Sequence, residues 1–242
     1  MDRAVFERMV ASEEDHWWFA ARRDLIRAIL TRCIALPAAP RILEAGCGTG
    51  GNLDLLREFG EVEAFEIDQI ARDIAIGKSG LSIAFGALPE EIPFRDKLYD
   101  IIGLFDVLEH IEDDKASLAA LGARLAPGGR MVLTVPAFPA LWSRHDERHH
   151  HFRRYTRKSL EAVAKSASLQ VVEDGYFNTA LLPLAVTTRA INGLLGRDNA
   201  DEVKPSRLIN AVLYKIFSAE RHLIGRTRMP VGLSVFAVLQ PV

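Results

Sequence analysis

The stretch Arg41-Ile-Leu-Glu-Ala-Gly-Cys-Gly-Thr-Gly-Gly constrains this chain more than any other. A short apolar strand runs straight into glycines, and Leu53 to Phe59 then carries apolar residues at helical spacing. Glycine permits positive φ and lets the backbone approach a ligand with no side chain in the way. The helix that follows offers unpaired amides at its first turn. Strand, bare turn and helix in that order predict the opening unit of an α/β sheet, with a ligand at the turn.

The alternation continues. Val62 to Ile67, Leu81 to Phe85, Tyr99 to Phe105 and Arg130 to Val135 read as strands, with helices at Ile70 to Lys78 and Lys115 to Leu125. Helices between strands predict a parallel sheet covered on both faces. Residues 1–36 carry Val5, Phe6, Met9 and then Leu25, Ile26, Ile29 and Leu30 at helical spacing, and Pro37 and Pro40 end that region. Ser159 to Ser168 reads as a helix and Val171 to Phe177 as a strand. Residues 179–230 hold two more helical patterns divided by the polar Arg197–Ser206 segment, before a last strand at Leu233 to Leu239. The expectation is one α/β domain with a Rossmann-like doubly wound sheet. Its parts are a helical cap (1–36), the core (37–178), a helical insertion (179–230) and the final strand (231–242).

Composition narrows the classes of function. With 242 residues, 49% of them hydrophobic, the chain can bury a sizeable core. Thirty basic against 32 acidic residues give a net charge of −2, which speaks against a wholly basic nucleic-acid binder and against a disordered acidic chain. Cys33 and Cys47 make no disulfide framework, no apolar leader opens the sequence, and no run of about 18 uncharged apolar residues occurs. A cytoplasmic setting is expected.

The glycine turn leaves two ligand classes open. Gly46, Gly48 and Gly51 satisfy G-x-G-x-x-G, with Glu66 twenty residues beyond Gly46, so an NAD-dependent oxidoreductase is one reading. Glu44, two residues before the first glycine, favours the other. A carboxylate there can face a cationic ligand, whereas a pyrophosphate gains nothing from it. A third reading is a non-catalytic module acting through its helical surface.

Four stretches in order favour the cationic ligand: Ile42-Leu-Glu-Ala-Gly-Cys-Gly-Thr-Gly, Phe65-Glu66, Leu98-Tyr-Asp-Ile-Ile-Gly-Leu-Phe-Asp-Val-Leu-Glu-His, and Leu125-Ala-Pro-Gly-Gly-Arg-Met-Val-Leu-Thr-Val-Pro. Over residues 41–136 the chain resembles the class I S-adenosylmethionine-dependent methyltransferases. The resemblance implies a seven-stranded sheet whose last strand is antiparallel, S-adenosylmethionine as methyl donor and S-adenosylhomocysteine as product. It also implies donor-binding roles. Gly46, Cys47, Gly48 and Gly50 pass beneath the methionine moiety, with Glu44 near its ammonium group. Glu66 accepts from the ribose hydroxyls beside Ile67, with Asp68 either a second candidate or a helix cap. Gly86, Ala87 and Leu88 lie near adenine, and Phe105 and Asp106 wall the donor. Cys47 also reads as a small packing residue. Where many relatives carry an acid for the adenine amine, this chain has Ala87. Glu109-His110 lies beside donor and acceptor in such proteins, and here it reads either as chemistry or as packing.

The acceptor is expected at Pro136 to Tyr155, a loop holding four of the seven histidines. His151 is the first candidate base and His145, next to Asp146, the second. Arg153, Arg154 and Tyr155 are candidates to hold an anionic or hydroxylated acceptor. The loop resembles a bacterial branch of the superfamily with a Leu-Trp-Ser…His…Arg-Arg-Tyr stretch, associated with small-molecule, lipid and glycan acceptors. His145 and His149, four apart, suit a metal only on a helix, and no metal is expected; a purely structural loop is the other reading.

The leader His16-Trp-Trp-Phe-Ala-Ala-Arg-Arg holds adjacent tryptophans that cannot both face one core. Trp17, Phe19 and Arg22 are therefore expected either as a lid over the donor, with Arg22 at its carboxylate, or as plain packing. Between Val186 and Pro230 lie eight basic residues (Arg189, Arg197, Lys204, Arg207, Lys215, Arg221, Arg226, Arg228) against four acidic ones (Asp198, Asp201, Glu202, Glu220). A basic, apolar-faced helix pair of this kind either lies on an anionic membrane, on the inner face, or packs on the sheet. The expected acceptor is a small or lipid-linked molecule, with no nucleic acid as partner. The sequence leaves oligomeric state open.

Overall fold

The structure is a computed structural model that describes residue 13, residues 15–194 and residues 205–242. Val5, Phe6 and Met9 lie outside the described residues, as do Arg197, Asp198, Asp201, Glu202 and Lys204; the side chain of Arg189 is likewise outside.

Seven strands form one sheet: β1 (Arg41–Ala45), β2 (Glu61–Glu66), β3 (Ile83–Phe85), β4 (Tyr99–Phe105), β5 (Leu125–Pro136), β6 (Leu169–Phe177) and β7 (Ser234–Pro241). Their order is β3-β2-β1-β4-β5-β7-β6, parallel throughout except for β7, which runs antiparallel to both neighbours. The expected Rossmann-like sheet with its reversed last strand is the one found. Central strands are buried on both faces, so they read as near-continuous apolar runs. In β4, Ile101, Ile102, Leu104 and Phe105 are all buried.

The helices are α1 (Trp17–Cys33), α2 (Leu53–Arg57), α3 (Gln69–Ser79), α4 (Asp114–Gly122), α5 (Arg144–Arg148), α6 (Arg157–Ser166), α7 (Leu182–Leu194) and α8 (Arg207–Ala219). One sheet face packs Ile42, Val132, Phe236 and Val238 against Leu25, Ile26, Ile29 and Leu30 of α1. The other packs Leu43, Leu104 and Leu133 against Leu118 and Leu121 of α4 and Leu160 of α6. Helix α1 buries a face recurring every three or four residues, which is what an amphipathic helix needs to seat on a sheet.

Helix α8 is strapped to α1 by polar contacts. Tyr214 donates to Asp24 at 2.8 Å and Arg221 pairs with the same carboxylate at 2.9 Å. Asn210 accepts from the Trp17 amide at 2.9 Å and donates to the Asp15 carbonyl at 2.8 Å. The cap and the insertion thus cover the same sheet face together. Their outer surface stays apolar in part, because Leu208, Ile209, Val212 and Ile216 of α8 remain exposed.

The segment after β5, read from the sequence as a loop, contains α5. Its Ser143 cap explains the helix: the Ser143 amide and hydroxyl both donate to Asp146, three residues on. Among the described residues no helix is long and apolar enough to cross a membrane.

Candidate active site

The carboxyl ends of β1, β2, β4 and β5 deliver four pieces to one edge of the sheet: the glycine turn, Glu66, the Asp106–His110 segment and the loop after Pro136. Open α/β sheets hold ligands at this edge, where neighbouring connections run to opposite faces.

The turn is shaped by glycines in the left-handed region, with φ of +70° at Gly46, +54° at Gly48 and +85° at Gly50. The amides of Gly46 and Cys47 donate to the Phe65 carbonyl, which ties the turn to β2. A Cβ built on Gly48 meets nothing within 4 Å among the described residues beyond its chain neighbours, so the backbone there is open on that side. Cys47 is buried, and burial followed by the field of Glu44 and Glu66 pushes its thiol up, out of reach of redox chemistry.

Three carboxylates ring this turn. Glu66 is held by three amides: Gly48 donates to Oε2 at 2.8 Å, and Ile67 and Asp68 donate to Oε1 at 2.9 Å each. Glu44 is 1% exposed and accepts from Asn52 at 3.0 Å, while its Oε2 finds no partner among the described residues. Burial pushes the Glu44 carboxyl up to about 8, with Asn52 opposing and Glu13 and Glu66 adding repulsion. Glu13 is the third; it accepts from the Thr49 hydroxyl and pairs with Lys78. Sequence reading missed Glu13, because no local pattern signals a contact across 36 residues.

Asp68 is a helix cap, accepting from the amides of Ile70 and Ala71 at 2.8 and 3.0 Å. Ile67 is exposed and Leu88 half-buried. Ala87 exchanges both of its backbone hydrogen bonds with Glu91, so its main chain is already engaged. Phe105 is buried in the core at the end of β4.

Arg22 comes from α1 to the end of β4. Its Nη2 donates to Thr134 at 2.6 Å and pairs with Asp106, and the guanidinium lies 4.5 Å from the centre of the Trp18 ring. Its Nη1 is buried and finds no partner among the described residues. Asp106 itself has φ +57°, a strained conformation for a residue with a Cβ. Trp17 and Trp18 both pack, partly buried, against the same core cluster, which corrects the expectation that adjacent tryptophans cannot face one core; they do so through different neighbours. Trp17 packs edge-on to Phe217 of α8 at 6.0 Å, and Trp18 packs against Phe19 at 4.9 Å and beneath Arg22.

The loop after β5 brings His151 next to His110. Their rings meet edge-to-face at 4.6 Å, and Glu109 lies beside them with its side chain buried and its Oε2 unpartnered among the described residues. His151 Nδ1 lies 2.9 Å from Asp146 Oδ1. Arg154 grips the same carboxylate through two bonds of 2.7 and 2.9 Å. Burial, then the neighbouring His151 and His149, hold His110 down at about 4, so its ring is neutral near pH 7. His145 sits on α5 with its ring 4.2 Å from that of His149 and 6.1 Å from that of His151.

Of the Arg-Arg-Tyr motif, Arg154 and Tyr155 are buried and Arg153 is half-buried. Arg154 serves Asp146, and Arg153 pairs with Asp114 at 2.8 Å and donates to the Glu112 carbonyl at 2.6 Å. Tyr155 is 2% exposed, and its hydroxyl donates to Asp114 at 2.9 Å. Burial and Asp114 both push its phenol up, away from service as a proton acceptor at neutral pH. These side chains therefore brace the loop from behind, whereas the sequence reading had them facing an acceptor.

Known proteins resemble this chain in sequence and in fold. Residues 18–174 match the methyltransferase domain family. Over 150 residues the chain is 27% identical to the dTDP-4-amino-2,3,4,6-tetradeoxy-D-glucose N,N-dimethyltransferase of Saccharopolyspora spinosa, covering 57% of this chain and 56% of that protein. Among solved structures, a Haloferax volcanii methyltransferase in complex with the Trm112 activator superposes with a TM-score of 0.62 at 16% identity, over 98% of this chain and 94% of that one. Magnesium protoporphyrin IX methyltransferase from Synechocystis, with bound S-adenosylhomocysteine, gives 0.55 at 16% identity, over 72% and 88%. The chain spans 26–47% of the length of the first three curated relatives it matches. It belongs to the methyltransferase domain family, a family of S-adenosylmethionine-dependent enzymes.

Proposed function

We propose that this chain moves a methyl group from S-adenosylmethionine to a small-molecule or lipid- or glycan-linked acceptor. The observation that carries this reading is the anionic cradle. Glu44, Glu66 and Glu13 surround a turn of bare backbone, and Glu44 Oε2 and Arg22 Nη1, both buried, find no partner among the described residues. A dinucleotide brings a pyrophosphate into such a turn, where the Glu66 carboxylate repels it and the buried Glu44 carboxyl would have to stay protonated. A sulfonium nucleoside with an ammonium group is attracted. The residues fit that donor: Glu44 Oε2 for the ammonium, Glu66 for the ribose hydroxyls, Arg22 Nη1 for the carboxylate, and the open space at Gly48 for close approach of the main chain. Cys47, Ile67, Leu88 and Phe105 give the walls, and Trp17 and Phe19 the lid.

When bound, the donor supplies an electrophilic methyl group on a positively charged sulfur. The chain's own residues hold the acceptor in line with it, which is the larger part of the rate gain. His151 takes the acceptor's proton on Nε2, because Asp146 occupies Nδ1 and fixes the ring. His145 lies one ring farther out and Tyr155 steadies the loop. The relative from Saccharopolyspora spinosa is named for an amino-sugar substrate, which supports a polar small molecule here.

The exposed apolar face of α8, flanked by Arg207 and Lys215, supports a partner role at an anionic membrane surface. Liposome flotation with and without anionic lipid at low salt tests it, and no co-flotation discards it.

Calorimetry tests the main reading. Micromolar binding of S-adenosylhomocysteine with none of NADH is expected; the reverse result ends it. Incubation with donor and host small-molecule and lipid extracts, followed by mass spectrometry for a gain of one CH₂, then identifies the acceptor.

A further inference from the structure

We propose that Glu109, His110 and His151 form a binding site for one divalent transition-metal ion, at the place where the acceptor's nucleophile is received. Each of the three offers a ligand atom, and these atoms lie within 4.8 Å of one another. Zinc-like ions hold nitrogen and oxygen ligands at about 2.0–2.2 Å, which sets ligands roughly 3–3.5 Å apart. The present spacing is wider than that by up to about 1.5 Å, so the side chains must draw together on an ion.

Two independent features point to an ion. Glu109 is 1% exposed, and its Oε2 finds no partner among the described residues. A buried carboxylate oxygen without a donor is costly, and a bound cation is one partner that offsets that cost. The histidines are also arranged as ligands are. His151 Nδ1 is bonded to Asp146, whose carboxylate is fixed by Arg154, which leaves Nε2 to bind. His110 is hydrogen-bonded to the main chain of His149, which commits one of its ring nitrogens as well. Histidines tied through one nitrogen to a carboxylate or main chain, with the other directed to the ion, are the usual second shell of metal sites.

Two imidazoles and one carboxylate suit Zn²⁺, Mn²⁺, Fe²⁺ or Co²⁺ better than Mg²⁺ or Ca²⁺, and three protein ligands leave positions open. The sequence expectation of no metal had weighed only His145 and His149. Their rings are close, yet neither belongs to this cluster. The proposal rests on the reading that the acceptor lies beside His151, and it changes how the proton leaves. In the metal-loaded chain the ion binds an acceptor hydroxyl oxygen and lowers its pKa. The proton passes to water, the oxygen lone pair forms the bond to the methyl carbon, and the carbon–sulfur bond breaks to leave neutral S-adenosylhomocysteine. In the metal-free chain His151 keeps the role of base.

The test uses the full chain and the metals alone. Titration with Zn²⁺ against a chromophoric chelator, and with Mn²⁺ by loss of the free-ion electron paramagnetic resonance signal, is expected to give one equivalent at micromolar affinity. Glu109→Gln and His110→Ala are expected to weaken it at least tenfold while S-adenosylhomocysteine affinity stays within twofold. A wild-type chain that binds neither ion below millimolar concentration, or variants that bind as well as wild type, overturns the site. Should the variants fold poorly, Mn²⁺ broadening of the His110 and His151 ring proton signals in the wild-type chain decides it: selective broadening supports the site, and none refutes it. The two readings fail separately, since binding of S-adenosylhomocysteine without metal ends only the metal proposal, and binding of metal without the nucleoside ends the methyl-transfer reading.

Discussion

Arg154 holds both oxygens of Asp146, and Asp146 in turn holds Nδ1 of His151 at 2.9 Å. The link from a buried arginine through a carboxylate to a histidine gives the ring one orientation. Burial by itself would push Asp146 up, but the bonds from His151 and Arg154 outweigh it and keep the carboxyl well below the usual range. Its stabilising contribution is therefore present above the ordinary aspartate pKa and is lost only as pH falls far into the acid range. Asp146→Asn is expected to lower kcat by about 10–100-fold with donor affinity kept. It also leaves the Arg154 charge buried and uncompensated, so urea unfolding should show a loss of about 3–5 kcal/mol. Unchanged kcat in a folded variant removes His151 from the chemistry.

The cradle can be tested at two places with different signatures. Glu66→Ala is expected to weaken S-adenosylhomocysteine binding by about 1.5–3 kcal/mol, the worth of hydrogen bonds to a charged acceptor. Gly48→Ala introduces a Cβ at φ +54°, at a cost of about 1–2 kcal/mol in stability, into space where no described residue beyond its chain neighbours lies within 4 Å. Its effect on binding should exceed its effect on the melting temperature. Calorimetry and thermal melts separate the two, and normal affinity in both variants means the ribose and methionine moieties lie elsewhere.

Glu44 gives the donor a pH dependence. Its carboxyl is raised to about 8, burial first, so in the ligand-free chain it is mostly neutral at pH 7. An ammonium group beside it favours the carboxylate, so binding S-adenosylmethionine at pH 7 releases a proton. Affinity is expected to rise with pH up to about 8 and then level off, and Glu44→Gln should flatten the profile. The folded state keeps a proton that the unfolded chain gives up near pH 4.5. Its contribution to stability is thus full below that pH and declines as pH climbs towards 8. Calorimetry in buffers of different ionisation enthalpy measures the proton directly, and zero release at pH 7 removes Glu44 from the ammonium.

Tyr155 separates bracing from chemistry. Its hydroxyl serves Asp114 in the core, so Tyr155→Phe should cost about 1–3 kcal/mol of stability and leave kcat unchanged. A loss of kcat without loss of stability would return Tyr155 to the acceptor site.

Much of the fold was legible in the sequence. The alternation of apolar strands and helices follows from elements that bury both faces of a sheet, and the bounds found for β4 are those the apolar run Tyr99 to Phe105 indicates. The glycine turn and its two flanking acids were equally legible, since positive φ and a buried carboxylate leave local marks. The segment after Pro136 was not. Its composition is mixed and without period, so α5 shows only through the Ser143 cap and Asp146.

The amino-acid sequence by itself determined the order of elements, the bare turn and the acids on either side of it, because period, turn chemistry and backbone freedom are local properties. Only the tertiary structure decided which charges face a ligand and which brace the protein. Arg154 and Tyr155 turn inward to Asp146 and Asp114, Arg153 pairs with Asp114 while half-buried, Arg22 crosses to Asp106, and His151 comes to His110 from 41 residues away. A charged or polar side chain takes whichever partner lies close enough to offset its loss of water, and that partner is chosen by the packing of distant segments.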